Sequence, residues 1–409
     1  MLPDSTRQII EQNDVIIGDG RFSILGMRVV AIPLNIVLVL QKHFTDKHGR
    51  KASQVFYTAG RLQGRLSLAT QLKLQNLPRD TLSLTRLLKI SELFGYGALE
   101  IRECDREEGE AIFENSASPM CRQYVKLFGC DGSDAGCYMR GFCAGLIECL
   151  FGVHAEARET ECAAKGTNGC RVVVRAKPGA GAQRRREDRL FNRIMEAFSP
   201  DRNLLSRQTA ASKQLIAHGQ ISFRNGWFLA MSIPGVLFSV EVFAALVHLL
   251  DQAFGREVHD VLYQLGRCQT RMGGRAIMSR FEFNKATFLK SYVQQAELQG
   301  LGLARIDSID WEKKVFCLEQ TRNNLAAKHV ELFGVEPAPV DSYTCGMAAG
   351  VGSLLFEIDG AGVETECIAA GSARCYYRVA AGEAGRRRLL LNPGLLREAL
   401  SAQALLPAR

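Results

Sequence analysis

The sequence predicts an α+β fold made of two tandem copies of one antiparallel-sheet-plus-helices domain, packed as an intramolecular pseudo-dimer. Three observations predict it. The first is a repeat: ETECAAKGTNGC around Cys162 returns as ETECIAAGSARC around Cys367, 205 positions on, and the same offset pairs Gly141 with Gly346, Gly145 with Gly350, Phe151 with Phe356 and Cys170 with Cys375. Upstream, Tyr57, Gly60 and Arg61 pair with Tyr263, Gly266 and Arg267 at an offset of 206. The second is periodicity. Stretches with apolar residues at helical spacing are segregated from short stretches that flank polar turns, as hairpins do. The third is a change of composition after each copy, to KPGAGAQRRRED from Lys177 and AAGEAGRRR from Ala380, which reads as chain leaving a domain.

In order along the first copy, Phe22–Ile32 reads as a strand. Asn35–Lys47 reads as a helix stopped by Gly49, Ala52–Ala69 as a second, and Thr85–Phe94 as a third stopped by Gly95. Ala98–Cys104 and Glu110–Asn115 flank the polar turn Asp105–Gly109 as a hairpin. Ser118–Phe128 and Tyr138–Phe151 read as helices, and His154–Ala164 with Arg171–Arg175 as a second hairpin around Gly166 and Gly169. The expected organisation is a first domain over 1–176, a linker with a basic run and a helix pair over 177–220, a second domain over 221–388 and a helical tail over 389–409.

Composition narrows the class. The chain of 409 residues is 47% hydrophobic, 23% charged and 8% aromatic, ordinary globular values that exclude a disordered, collagen-like or coiled-coil chain. Its formal charge of +8 permits an anionic partner without arguing for nucleic acid, and the Arg184–Arg186 run reads as a solvated linker. Thirteen cysteines, an odd count in a long chain with a polar start from Met1 to Asp14, point to a reducing cytoplasm rather than a secreted disulfide scaffold. Trp227–Leu250 is apolar but broken by Pro234, Gly235, Glu241 and His248, so a strand, a turn and a buried helix are expected, not a membrane span.

The chemistry concentrates on the second hairpin. Glu159, Cys162 and Cys170 lie there, and Cys137 opens the preceding helix. Together they form a set of three thiolates and one carboxylate, suited to zinc in a closed, structural tetrahedral site. Glu159 and Cys162 are an odd number of residues apart, so a regular strand would put them on opposite faces and a bulge is needed. The competing reading makes these cysteines buried small hydrophobes beside a turn. The second copy keeps Glu364, Cys367 and Cys375 but has Ser342 where Cys137 stands; Cys345 or Asp341 is the candidate substitute.

The helix GCYMRGFCAGLIECLFG followed by E-x-x-C and G-x-x-x-C, preceded by GDGRFSILGMRVVAIP and FYTAGRLQG, resembles the 4-vinyl-reductase-type small-molecule-binding domain over nearly all of both copies. That family includes a protein associated with bacteriochlorophyll synthesis and the aromatic-sensing domains of bacterial transcription activators. Its fold is similar to that of the TRAPP vesicle-tethering subunits and of haem-based nitric oxide sensors, the NO-signalling and Golgi-transport ligand-binding type. The resemblance implies that Cys137, Glu159, Cys162 and Cys170 hold zinc in the first copy, with occupancy of the second left open. It also implies an aromatic or other hydrophobic ligand, and a protein partner for signal output.

Tyr57 and Tyr263, each followed by Gly-Arg, admit two readings: a helix packed closely through glycine with arginine at the surface, or a ligand cavity. For a cavity, Tyr96, Trp227, Phe228, Phe94 and Trp311 are candidate lining. His154 and His329 have no partner at ligand spacing. Neither a GxxxxGK[ST] loop nor a GxGxxG strand–helix turn occurs, and neither a helix-turn-helix nor a nucleophile–base set stands out. The sequence therefore favours a non-enzymatic binder or sensor of a small hydrophobic molecule. Two alternatives stay open: a reductase or accessory protein in tetrapyrrole or aromatic metabolism, and a protein-association scaffold.

Overall fold

The fold comes from a computed structural model that describes residues 15–116, 118–131, 134–177, 182–199, 209–224, 226–231 and 233–381. The polar start and the tail over 389–409 lie outside these residues. The first stretch runs β1 (Val15–Gly18), β2 (Arg21–Ile24), β3 (Met27–Pro33), α1 (Leu34–His48), α2 (Arg50–Leu74), α3 (Thr81–Ser91), β4 (Leu99–Asp105), β5 (Glu110–Asn115), α4 (Pro119–Phe128), α5 (Cys137–Phe151), β6 (Ala155–Glu161) and β7 (Cys170–Ala176). Two connecting helices follow, α6 (Ala182–Ala197) and α7 (Thr209–Ala217). The last stretch runs β8 (Ile221–Arg224), β9 (Trp227–Ala230), β10 (Ile233–Ser239), α8 (Val240–Phe254), α9 (Glu257–Arg280), α10 (Lys285–Leu298), β11 (Gly302–Asp310), β12 (Val315–Asn323), α11 (Asn324–Phe333), α12 (Ser342–Phe356), β13 (Gly360–Glu366) and β14 (Cys375–Ala381). The pairs α4 and α11, α5 and α12, β6 and β13, and β7 and β14 each begin and end 205 positions apart.

The fold is α+β, and most expected elements are present. One is corrected: Phe22–Ile32 is not a single strand. Leu25 and Gly26 adopt positive φ of 51° and 76°, turning the chain so that Ser23 pairs with Arg28 and Ile24 with Met27. Among the described residues, no helix is long and apolar enough to cross a membrane; the apolar stretch from Trp227 forms β9, β10 and the start of α8.

Two compact units divide the chain: residues to Ile16 with Ser23–Leu246, and Ile17–Phe22 with residues from Val247 on. The expected boundary at residue 221 differs from this division, and strand pairing is the reason. In the first unit β10 pairs antiparallel with β3, Ala31 opposite Leu237 and Val29 opposite Ser239. The Tyr96 hydroxyl donates to the Leu237 carbonyl at 2.8 Å, and Gly97 N–H donates to the Gly226 carbonyl at 3.1 Å. In the second unit Asn324 Nδ2 donates to the Gly20 carbonyl at 2.7 Å. The strands β8–β10 of the last stretch thus fall in the first unit, and Ile17–Phe22 of the first stretch falls in the second.

The first unit carries the antiparallel sheet β4-β5-β7-β6 and the second the sheet β11-β12-β14-β13. Against each sheet lies a helix pair in backbone contact. A Cβ on Gly60 would meet the Tyr138 carbonyl oxygen at 2.0 Å, and one on Gly141 the Tyr57 carbonyl oxygen at 1.9 Å. In the second unit a Cβ on Gly266 would stand 2.3 Å from the Tyr343 carbonyl oxygen, and one on Gly346 2.0 Å from that of Tyr263. Of the two readings of these positions, the geometry favours close packing through glycine: the facing backbone fills the space that a ligand would need. Tyr57 and Tyr263 tie helix to sheet, their hydroxyls accepting from Ala157 N–H at 3.1 Å and Gly362 N–H at 2.8 Å.

Arg61 does not reach the surface either. It is 6% exposed and pairs with Glu187 of α6 and, at 3.6 Å, with Glu148. Arg65 pairs with Asp188 at 2.7 Å and lies 3.9 Å over the Phe191 ring. The linker helix α6 is thus docked on α2 through its acidic and aromatic side chains.

Backbone contact makes a size prediction. Gly60→Ala should destabilise the chain by about 1–3 kcal/mol or more, because the obstacle is backbone that cannot rotate away. Gly273→Ala, on α9 with nothing within 4 Å of its Cβ position, should instead stabilise by about 0.5–1 kcal/mol. Urea unfolding of the two variants checks both signs.

Candidate metal centre

The loop that leaves β6 brings the first cluster together. Glu159 pairs with Val172 and Glu161 with Arg171, so Thr160 is an extra residue in the strand. This is the bulge that the odd spacing required, and it turns Glu159 and Cys162 to the same side. Cys162 caps the short helical turn Ala163–Lys165, after which Cys170 opens β7. The same irregularity recurs between Glu364 and Glu366.

The fourth side chain gathered with Glu159, Cys162 and Cys170 is Cys121, not Cys137. Ligand atoms of Cys121, Glu159, Cys162 and Cys170 all lie within 4.8 Å of one another, with Cys121 Sγ 3.8 Å from Cys162 Sγ. Ser118 caps α4 by accepting from Cys121 N–H at 3.4 Å, and Pro119 fills the first helical position. Those two residues place Cys121 in the first turn, over the hairpin. Cys137 is buried at the start of α5 but outside the cluster. The residue of that segment that meets the carboxylate is Gly136, where a Cβ would stand 2.4 Å from Glu159 Oε1. The repeat gives no signal for Cys121, since Ala326 stands at its position in the second copy; the Ser-Pro start of its helix is the signal the sequence offers.

The set fits a cation. Glu159 Oε2 is buried without a hydrogen-bond partner, and burial, then the neighbouring Cys162, push its carboxyl up to about 8. Hydrogen bonds from Cys121 and Cys162 hold the Cys170 thiol down at about 4, while Cys121 is driven up by the same contacts. Two thiols thus gather around the Cys170 sulfur beside a desolvated carboxyl group, an arrangement that a thiophilic divalent ion would stabilise. A cavity of about 10 Å³ adjoins it, lined by Leu99, Phe113, Met139, Cys143 and Val172 together with Asn115, Ser118, Cys121, Glu159 and Cys170.

The second unit gathers Glu364, Cys367 and Cys375 within the same limit. Both Glu364 carboxylate oxygens are buried without partners, and burial, then Asp341, push that carboxyl up to about 10. Neither substitute expected here joins the cluster. Cys345 lies one turn into α12, its Sγ 3.5 Å from a Cβ position on Gly362. Asp341 is occupied as the cap of α12, accepting from Thr344 N–H at 3.1 Å, and it also accepts from Asn323 and Tyr377. The position matching Cys121 is Ala326, likewise in a first turn and capped by Asn323. Three donors leave a tetrahedral ion one ligand short.

The candidate lining residues stand apart from both clusters. Tyr96 bonds to Leu237 and, at 3.1 Å, to the Tyr138 hydroxyl. Phe228 is buried with its ring 5.6 Å from that of Phe223, Trp227 is half-buried in β9, and Trp311 is exposed. His154 has a partner after all, Glu148 Oε1 at 2.6 Å.

Metal analysis of three variants checks the ligand assignment. Cys121→Ser and Cys162→Ser should each lose the first ion, whereas Cys137→Ser should keep it; the opposite pattern for Cys121 and Cys137 would refute the geometry.

No protein-family model matches this chain, and no curated protein matches it. Among solved structures the chain is similar to the phenol-responsive sensory domain of the transcription activator PoxR, crystallised with phenol. That similarity has a TM-score of 0.37 at 18% identity and covers 47% of this chain and 97% of that one.

Proposed function

We propose that the chain is a non-enzymatic binding or sensing protein for a small hydrophobic molecule, with a structural zinc ion in its first half held by Cys121, Glu159, Cys162 and Cys170. The observation that carries this reading is the buried four-donor cluster, assembled from α4, the end of β6 and the start of β7. An ion there ties the β6–β7 hairpin to α4, a closed site with no position left for a reacting group. The adjoining apolar cavity shares Cys121, Glu159 and Cys170 with the cluster. A ligand entering it presses on the same elements that the ion fastens, which couples binding to the clamp. At about 10 Å³ it has room for about one water, so a ligand enters by displacing side chains such as Met139.

The pairing of β10 with β3 supports an intramolecular pseudo-dimer of the two sequence copies, fused versions of a pairing between identical chains. Thirteen free thiols support a reducing compartment such as the cytoplasm.

Thermal unfolding of the full chain, with and without a chelator, tests the zinc. An ion held at a thousandfold above its Kd stabilises by about 4 kcal/mol, so chelation should lower the melting temperature of the wild type and leave Cys121→Ser unchanged. A zinc-loaded chain whose melting ignores the chelator would contradict the proposal. Small aromatic molecules should raise the melting temperature, and Val172→Ile, which adds a methyl group at the cavity wall, should abolish that rise.

A further inference from the structure

A third cluster belongs to neither hairpin. His248 on α8, His329 on α11 and Glu336 just beyond α11 present ligand atoms within 4.8 Å of one another. His329 is buried, and its Nε2 is 3.3 Å from Glu336 Oε1. The His248 ring is stacked on Phe333 at 3.8 Å between centroids, near parallel, and its Nε2 is 2.8 Å from Gln252 Nε2. The two imidazoles are 5.8 Å apart between centroids. Glu336 is fixed by its N–H, which donates to the Ala369 carbonyl at 2.8 Å. His248 lies 81 positions before His329, so no local spacing reveals the set.

The equivalent place in the first unit says what the cluster is for. At the repeat offset, His248 corresponds to Lys42, His329 to Tyr124 and Glu336 to Asp131. There Lys42 Nζ is 3.2 Å from Asp131 Oδ2, and the Tyr124 hydroxyl donates to the same oxygen at 3.0 Å. The first unit therefore supplies its own cation to this carboxylate. The second keeps the carboxylate and puts two imidazoles where the lysine and the tyrosine stood.

We propose that His248, His329 and Glu336 form a further metal site, for a divalent transition-metal ion of the zinc, cobalt or nickel class. Two imidazoles and a carboxylate suit that class, and the missing ammonium is replaced by the ion's own charge. The Glu336 side chain is 35% exposed and His248 is half-buried, so the ion is reached from solvent and exchanges more readily than one in the cysteine cluster. Three protein donors leave a coordination position for water or for a small ligand atom.

Cobalt titration of the untagged full chain tests it, with Cys162→Ser, Cys367→Ser as the background that disables both cysteine clusters. The background chain should still bind one equivalent, with visible d–d absorption and no thiolate-to-cobalt charge-transfer band. His248→Lys recreates the first unit's lysine–carboxylate pair, so it should fold, by circular dichroism, and bind that equivalent at least about 100-fold more weakly, the upper range seen even for loss of an outer-shell partner. Glu336→Gln should weaken it in the same direction. A folded background chain that binds no cobalt, or binding unchanged in both variants, would overturn the proposal. Histidines that merely protonate to balance Glu336 would give the first of those results.

Discussion

A carboxylate and three sulfurs crowd into a few ångströms of protein interior, and the rest of the first unit is arranged to allow it. Glu159 has a buried oxygen with no donor, a state that costs free energy unless a cation or a proton compensates. The cluster needs the bulge at Thr160 to turn Glu159 toward Cys162, the Ser118 cap to aim Cys121, and Gly136 to leave the carboxylate room. Each is a local feature of sequence. Their convergence is what a structural ion requires: donors from separate elements that the ion then fixes relative to one another.

The second unit keeps this scaffold and changes the charges on it. Ala326 stands for Cys121, removing one donor, while His248 and His329 stand for Lys42 and Tyr124, adding two. The backbone framework is indifferent to these exchanges, because the glycine-lined contacts of α2 with α5 and of α9 with α12 are the same in both. One framework thus carries two sets of polar groups: four donor side chains gathered in the first unit and three in the second, and an ammonium in the first where imidazoles stand in the second.

Much of this was legible in the sequence. The repeat offset located α4, α5, β6 and β7 and their counterparts, because caps and turn glycines are local signals. Glu159, Cys162 and Cys170 were legible because a hairpin is a local structure. Cys121 was not, since its approach depends on how α4 docks, and the repeat gives no signal for it because Ala326 stands at its position in the second copy. The Gly60 and Gly266 positions were open in the sequence because a glycine in a helix marks either a gap or a close approach, and only the facing helix decides for the second. The single strand expected over Phe22–Ile32 failed at Leu25, a non-glycine residue held at positive φ, which propensity does not anticipate.

The most direct measurement is zinc K-edge X-ray absorption on the full chain loaded with one equivalent of zinc. The account predicts a first shell of three sulfurs at about 2.3 Å and one oxygen at about 2.0 Å, with one sulfur lost in Cys121→Ser and none in Cys137→Ser. A shell dominated by nitrogen and oxygen, or a sulfur count that ignores Cys121, would contradict it.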